Sequence, residues 1–195
     1  MRKRKDRTRS IVIYIVKFLI CYLVLVLIYV ISAYLSYKYV LKVPTSILEK
    51  TTQYMEKALR MGALGIFLNN FVQATRMSLP IVGPLYAFVI MMNTGQFLGL
   101  YVYSKFGTGQ LGTLVLVSSL LITLLYPYAI IELSAYAVAL ENSVSLTIRI
   151  FQGNVDKKLL FKVLLKYCVS IILLIIAAAL EYATLMQIMS IRNSF

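Results

Sequence analysis

From Ile11 to Ser36 the chain runs for 26 residues broken by a single charge, Lys17. A helix rises ~1.5 Å per residue, and ~20 apolar residues cross the hydrocarbon core of a bilayer. A run of this length and composition predicts a spanning helix, its start tilted or near the membrane surface. Lys17 lies close enough to the basic residues of 1–10 for its stem to stay in the apolar layer while its ammonium reaches water. The run exceeds the ~7–15 apolar residues of a cleaved leader, and no small-residue cleavage pattern follows it. It is therefore expected to be a permanent anchor.

The rest of the sequence agrees with that environment. Hydrophobic residues make up 61% of the 195, against ~45–50% in soluble domains. This excess excludes a water-soluble single-core domain and, being aliphatic, excludes disorder. The chain has no His, so Ser-His-Asp and Cys-His nucleophilic sites and His-containing zinc sites are excluded. No catalytic residue, cofactor or metal site is predicted. Cys21 and Cys168 both lie in apolar runs and are expected to be small buried hydrophobes. The net charge of +13 points to anionic lipid heads at basic membrane-flanking segments, and not to nucleic acid.

Along the chain, 1–10 form a basic tail with six Lys/Arg and one Asp. Residues 44–61 predict an amphipathic surface helix, opened by Pro44 and a Ser46/Glu49 capping box. Residues 62–79 are apolar but carry Asn69, Asn70, Gln73 and Arg76, and Pro80 and Pro84 then break the helix. Further apolar runs follow at 82–104, 111–127 and 128–149, the last two divided by Pro127. A basic cytoplasmic loop at 151–166 leads to a last span at 167–191. The positive-inside rule places both strongly basic segments on the cytoplasmic side, which requires an even number of crossings between them. Spans at 11–36, 82–104, 111–127 and 128–149 satisfy this, with 62–79 as a re-entrant or buried half-helix. The expected fold is all-α: a polytopic membrane helical bundle of about five transmembrane helices plus that half-helix, N-terminus cytoplasmic and C-terminus external. A six-helix arrangement, with 62–80 crossing, is the alternative.

Ionisable groups inside apolar runs need partners, protonation or water. Glu132, Glu141 and Glu181 are such groups. Glu132 shares a face with Ala135, Tyr136 and Ala139, small residues that let another backbone approach. Asn69, Gln73 and Arg76 share one helical face. Glu132, Asn69, Asn70, Gln73, Arg76 and Asn93 are thus the candidate buried polar network, with Glu132 facing 66–80. It would either pin helices together or line a polar path at a broken helix, as secondary transporters do. Gly95 and Gly99 form a GxxxG packing motif, within the subunit or across a homo-oligomer.

Three segments in order carry a family resemblance. They are Ile66-Phe67-Leu68-Asn69-Asn70, then Asn93-Thr94-Gly95-Gln96-Phe97-Leu98-Gly99, then Pro127 with Glu132-Leu133-Ser134-Ala135, with the Pro80–Pro84 break between the first two. Together they resemble the stage II sporulation protein M family of integral membrane proteins over about 66–141, within a core of 62–150. Asn70, Asn93 and Glu132 are the positions the resemblance carries over. Tyr128 and Ala129 stand where the family has His-Gly, which argues against proton or metal chemistry there. The resemblance implies a membrane scaffold or subunit acting with cell-envelope proteins in membrane remodelling. Some relatives resemble permease components beside soluble ATPases, so the transporter reading stays open as the alternative.

Overall fold

The structure, a computed structural model, describes residues 2–39 and 60–192. They form six helices: α1 (Arg2–Tyr39), α2 (Gly62–Ser78), α3 (Gly83–Phe106), α4 (Gln110–Leu125), α5 (Pro127–Phe151) and α6 (Lys157–Arg192). No strand occurs among the described residues, and the fold is an all-α bundle. Four helices are long and apolar enough to cross a membrane: Val12–Tyr39, Gly83–Phe106, Pro127–Phe151 and Lys157–Gln187. The expected surface helix at 44–61 lies almost wholly outside the described residues.

Prolines set the two interior breaks. Leu79 and Tyr126 each precede a proline, and both are extended, with ψ of 131° and 135°. A residue before proline is pushed out of the helical region by the pyrrolidine ring. Pro84 and Pro127 then occupy the first turns of α3 and α5, where their missing N–H is not needed.

Contacts along α1 and α6 give the direction of every other helix. Gly95 and Gly99 of α3 lie against Tyr29 and Ala33 of α1 in the same order, so these helices run parallel. Descending α1 from its C-terminal end, Tyr37 meets Thr113 at the start of α4. Tyr29 meets Thr123 near the end of α4 and Tyr128 at the start of α5. Tyr14 and Cys21 sense the charge of Glu141, farther along α5. Hence α4 and α5 descend one after the other as a single broken pass. Along α6, Gly62 lies against Tyr182, and Thr75 hydrogen-bonds Tyr167, so α2 runs antiparallel to α6. At ~1.5 Å per residue its 17 residues cover ~25 Å.

The chain therefore alternates direction in five segments, α1, α2, α3, α4 with α5, and α6, which are not the expected ones. Residues 62–78 form a 17-residue helix antiparallel to α6 that, like α4, is shorter than the four candidate spans and ends beside Ser143. Residues 111–127 and 128–149 make one pass between them. At 16 residues, α4 alone is short of the ~20 needed to span. An arrangement with 111–127 and 128–149 as separate crossings puts the turn at 107–112 beside the basic segments; the structure places it at the opposite end. The physical reason is that a proline permits either a reversal or a bend, and here the axis continues. The expected basic loop at 151–166 is a short turn, because α6 already begins at Lys157.

The central helix is α5. Of its most apolar window 61% is buried, against 17% for α1. Ala135, Ala137 and Ala139 are fully buried, and they let Leu25, Met77, Met91 and Leu174 of four neighbouring helices close on it. Elsewhere large apolar side chains such as Leu23, Leu85, Leu114 and Ile172 face outward. That surface suits hydrocarbon and explains Cys168, which is exposed, while Cys21 is half-buried. The expectation that both cysteines are buried fails at Cys168 because an apolar side chain in such a bundle need not face protein.

Candidate functional site

Polar groups gather at two levels along α5. The first is near its C-terminal half. Glu141 is 3% exposed. It accepts hydrogen bonds from Lys166 Nζ at 2.5 Å and Ser145 Oγ at 2.8 Å. The Lys166 ammonium also lies over the ring of Tyr14, 4.7 Å from its centre. The next two residues each tie α5 to another element. Asn142 donates to the Val163 carbonyl of α6. Ser143 Oγ donates to the Leu79 carbonyl at the α2–α3 break, and the Ile81 N–H donates to Thr147 Oγ1. Irregular backbone at such a depth needs protein partners for its freed groups, and α5 supplies them. Ile81 is held at φ +67°, a conformation costly for a β-branched residue.

Beside this level lies a cleft of about 530 Å³ between α1, α5 and α6, lined by Tyr14, Lys17, Glu141, Arg149, Gln152 and Lys166 among others. A second cleft of about 500 Å³ shares Arg149 and continues to Lys158 and Lys162. This end of the bundle therefore carries a broad cationic surface.

The second level is near the α4–α5 junction. Glu132 and Tyr136 stand one turn apart on α5, close enough to interact electrostatically. Glu181 of α6 is close enough to interact with Glu132 electrostatically, and Tyr128 senses both carboxyls. Tyr29 of α1, beside Thr123, borders the same group. Among the described residues, no basic side chain is found among the groups acting on either carboxyl.

The six residues expected to form one network are divided. Asn70 is buried and accepts from Asn69 Nδ2 at 3.1 Å. Gln73 is half-buried, and its buried Oε1 meets no donor among the described residues. Arg76 is exposed and lies over Tyr86, 5.9 Å from the ring centre. Asn93 is exposed on α3. Glu132 meets Tyr136 and Glu181, not Arg76. The rotation of α2 turns Arg76 outward while Ile66, Asn70 and Ala74 take the inner face. Gly95 and Gly99 pack inside the subunit, where added Cβ atoms would collide with the carbonyl oxygens of Tyr29 and Ala33.

Sequence reasoning missed the Glu141–Lys166 pair, yet a signal was present. Glu141 precedes Gly153 by 12 residues and Lys166 follows Asn154 by 12. Two antiparallel helices joined by a tight turn bring such equidistant residues to one level.

These features define a class, an all-α bundle with four helices long and apolar enough to span a membrane, a central packed helix and one strongly basic end. No family model, curated protein or solved structure matches the chain.

Proposed function

We propose that this chain is a non-enzymatic, multi-pass membrane component, a scaffold or subunit of a membrane- or envelope-remodelling complex, with its basic end in the cytoplasm. The supporting observation is the separation of roles along α5. Its interior is spent on packing and on fixing neighbouring helices through Glu141, Asn142 and Ser143. The unspent charge lies outside, at one end, on Lys17, Arg149, Lys158 and Lys162. Cationic ends of this kind set orientation by the positive-inside rule and offer a surface to acidic partners or lipids. The resemblance to the stage II sporulation protein M family points the same way. Affinity purification from native membranes in mild detergent, with mass spectrometry, tests this reading. It predicts a stoichiometric soluble ATPase or envelope protein. Recovery of the chain alone, as a homo-oligomer, contradicts it.

A second reading, a transporter or permease subunit, draws on the second polar level. Two carboxyls near one another and without a nearby cation favour holding a proton. In a proton-coupled carrier, Glu132→Gln abolishes flux while expression holds. In a scaffold the amide can still hydrogen-bond a partner, so assembly is unchanged.

A further inference from the structure

The cleft between α1, α5 and α6 has more positive charge than the described part of the chain can neutralise. Four acidic side chains are described. Glu141 is engaged by Lys166. Asp156 caps α6 by accepting from the Leu159 N–H at 2.7 Å. Glu132 and Glu181 belong to the other polar level. Among the described residues, Lys17 and Arg149 therefore have no carboxylate partner, although both line the cleft. Lys17 stands six residues inside an apolar run. Its stem lies in the apolar layer while its ammonium reaches the headgroup level, where two cations lining one cleft favour an anion between them.

The cleft walls fit an occupant that is anionic at one end and apolar at the other. The Gln152 amide offers a donor beside the two cations, and Ile13, Ile148 and Leu159 supply apolar wall. From there toward the middle of the bundle, α1 and α6 present outward apolar residues, including Val16, Ile20 and Leu164. Acyl chains need such a surface. We infer that this cleft is a binding site for the phosphodiester headgroup of an anionic phospholipid, held between Lys17 and Arg149 with its chains along α1 and α6. The inference rests on the membrane reading alone and is independent of the scaffold reading.

Native mass spectrometry of the full chain in neutral detergent tests it, titrating phosphatidylglycerol against phosphatidylcholine. Phosphatidylglycerol is expected to stay bound at concentrations where phosphatidylcholine does not. Lys17→Gln and Arg149→Gln should each weaken it about fivefold, and the double variant roughly 25-fold, the factor matching ~1 kcal/mol per cation. Both side chains are exposed, so the variants are expected to keep the helicity and melting temperature of the parent. If the double variant fails to fold, the two single variants carry the test. Lys105→Gln, at the other end of α3, should leave binding unchanged. Equal affinity for the two lipids overturns the inference, as does an equal loss with Lys105→Gln. Displacement of phosphatidylglycerol by millimolar inorganic phosphate also overturns it, since the ligand would then be a soluble phosphate compound.

Discussion

At the scale of single residues, the two glycines of α3 and the ion pair of α5 and α6 make opposite points about replacement. Alanine is ordinarily ~1 kcal/mol better than glycine in a helix. At Gly95 that gain is overridden, because the new Cβ meets the Tyr29 carbonyl, which belongs to backbone and does not swing aside. Gly95→Ala is expected to destabilise the protein by about 1–3 kcal/mol, the usual range for overpacking, seen as a lower melting temperature in detergent. Lys166→Met would strand the Glu141 carboxylate, which is 4% exposed. Breaking one side of a buried pair costs ~3–5 kcal/mol, and Lys166, 26% exposed, argues for the lower end. Adding Glu141→Gln should recover most of that loss in the same melt, since the stranded charge is then gone. The GxxxG spacing made the close approach legible in the sequence, but not which helix would make it. Glu132 was legible as a group needing partners. Its separation from Arg76 was not, because that depends on the rotation of α2 about its axis.

At the scale of elements, both proline breaks could be read directly, since the ring forbids helical geometry before it and removes a donor. What a break does to direction is not local. The α2–α3 break reverses the chain and the α4–α5 break does not, although Leu79 and Tyr126 have nearly the same backbone angles. The difference lies in tertiary contacts. At the first break, Ser143 and Thr147 hold Leu79 and Ile81, and Gly83 fits against Ser143 without room for a Cβ. Ile81 pays for this turn with its left-handed backbone, a conformation worth ~1–2 kcal/mol against an L-residue. Its side chain is 54% exposed, so little packing is lost on truncation. Ile81→Gly is therefore expected to raise stability by about 1 kcal/mol. Ser143→Ala removes one of the two donors to the Leu79 carbonyl, the Gly83 N–H remaining, and should lower it by ~0.5–1.5 kcal/mol. Thermal melts of the two variants check both signs.

For the whole molecule, composition alone made the membrane-type helical bundle legible, and charge at the two basic segments made their shared side legible. The path between them was not, because two different sets of passes satisfy the same parity. Long-range contacts decide it: Tyr37 with Thr113, Tyr29 with Thr123, Gly62 with Tyr182. This path puts Asn154 at the basic end of the bundle, Thr108 at the opposite end and Pro127 between them; with the basic end in the cytoplasm, as proposed, Thr108 faces outside. The most direct measurement is labelling of single cysteines at these positions with a membrane-impermeant maleimide, in intact and opened cells, on a background without Cys21 and Cys168. Thr108→Cys is expected to label from outside, Asn154→Cys only after opening, and Pro127→Cys from neither side. Labelling of 108 and 154 from the same side, or of 127 from outside, would contradict this path.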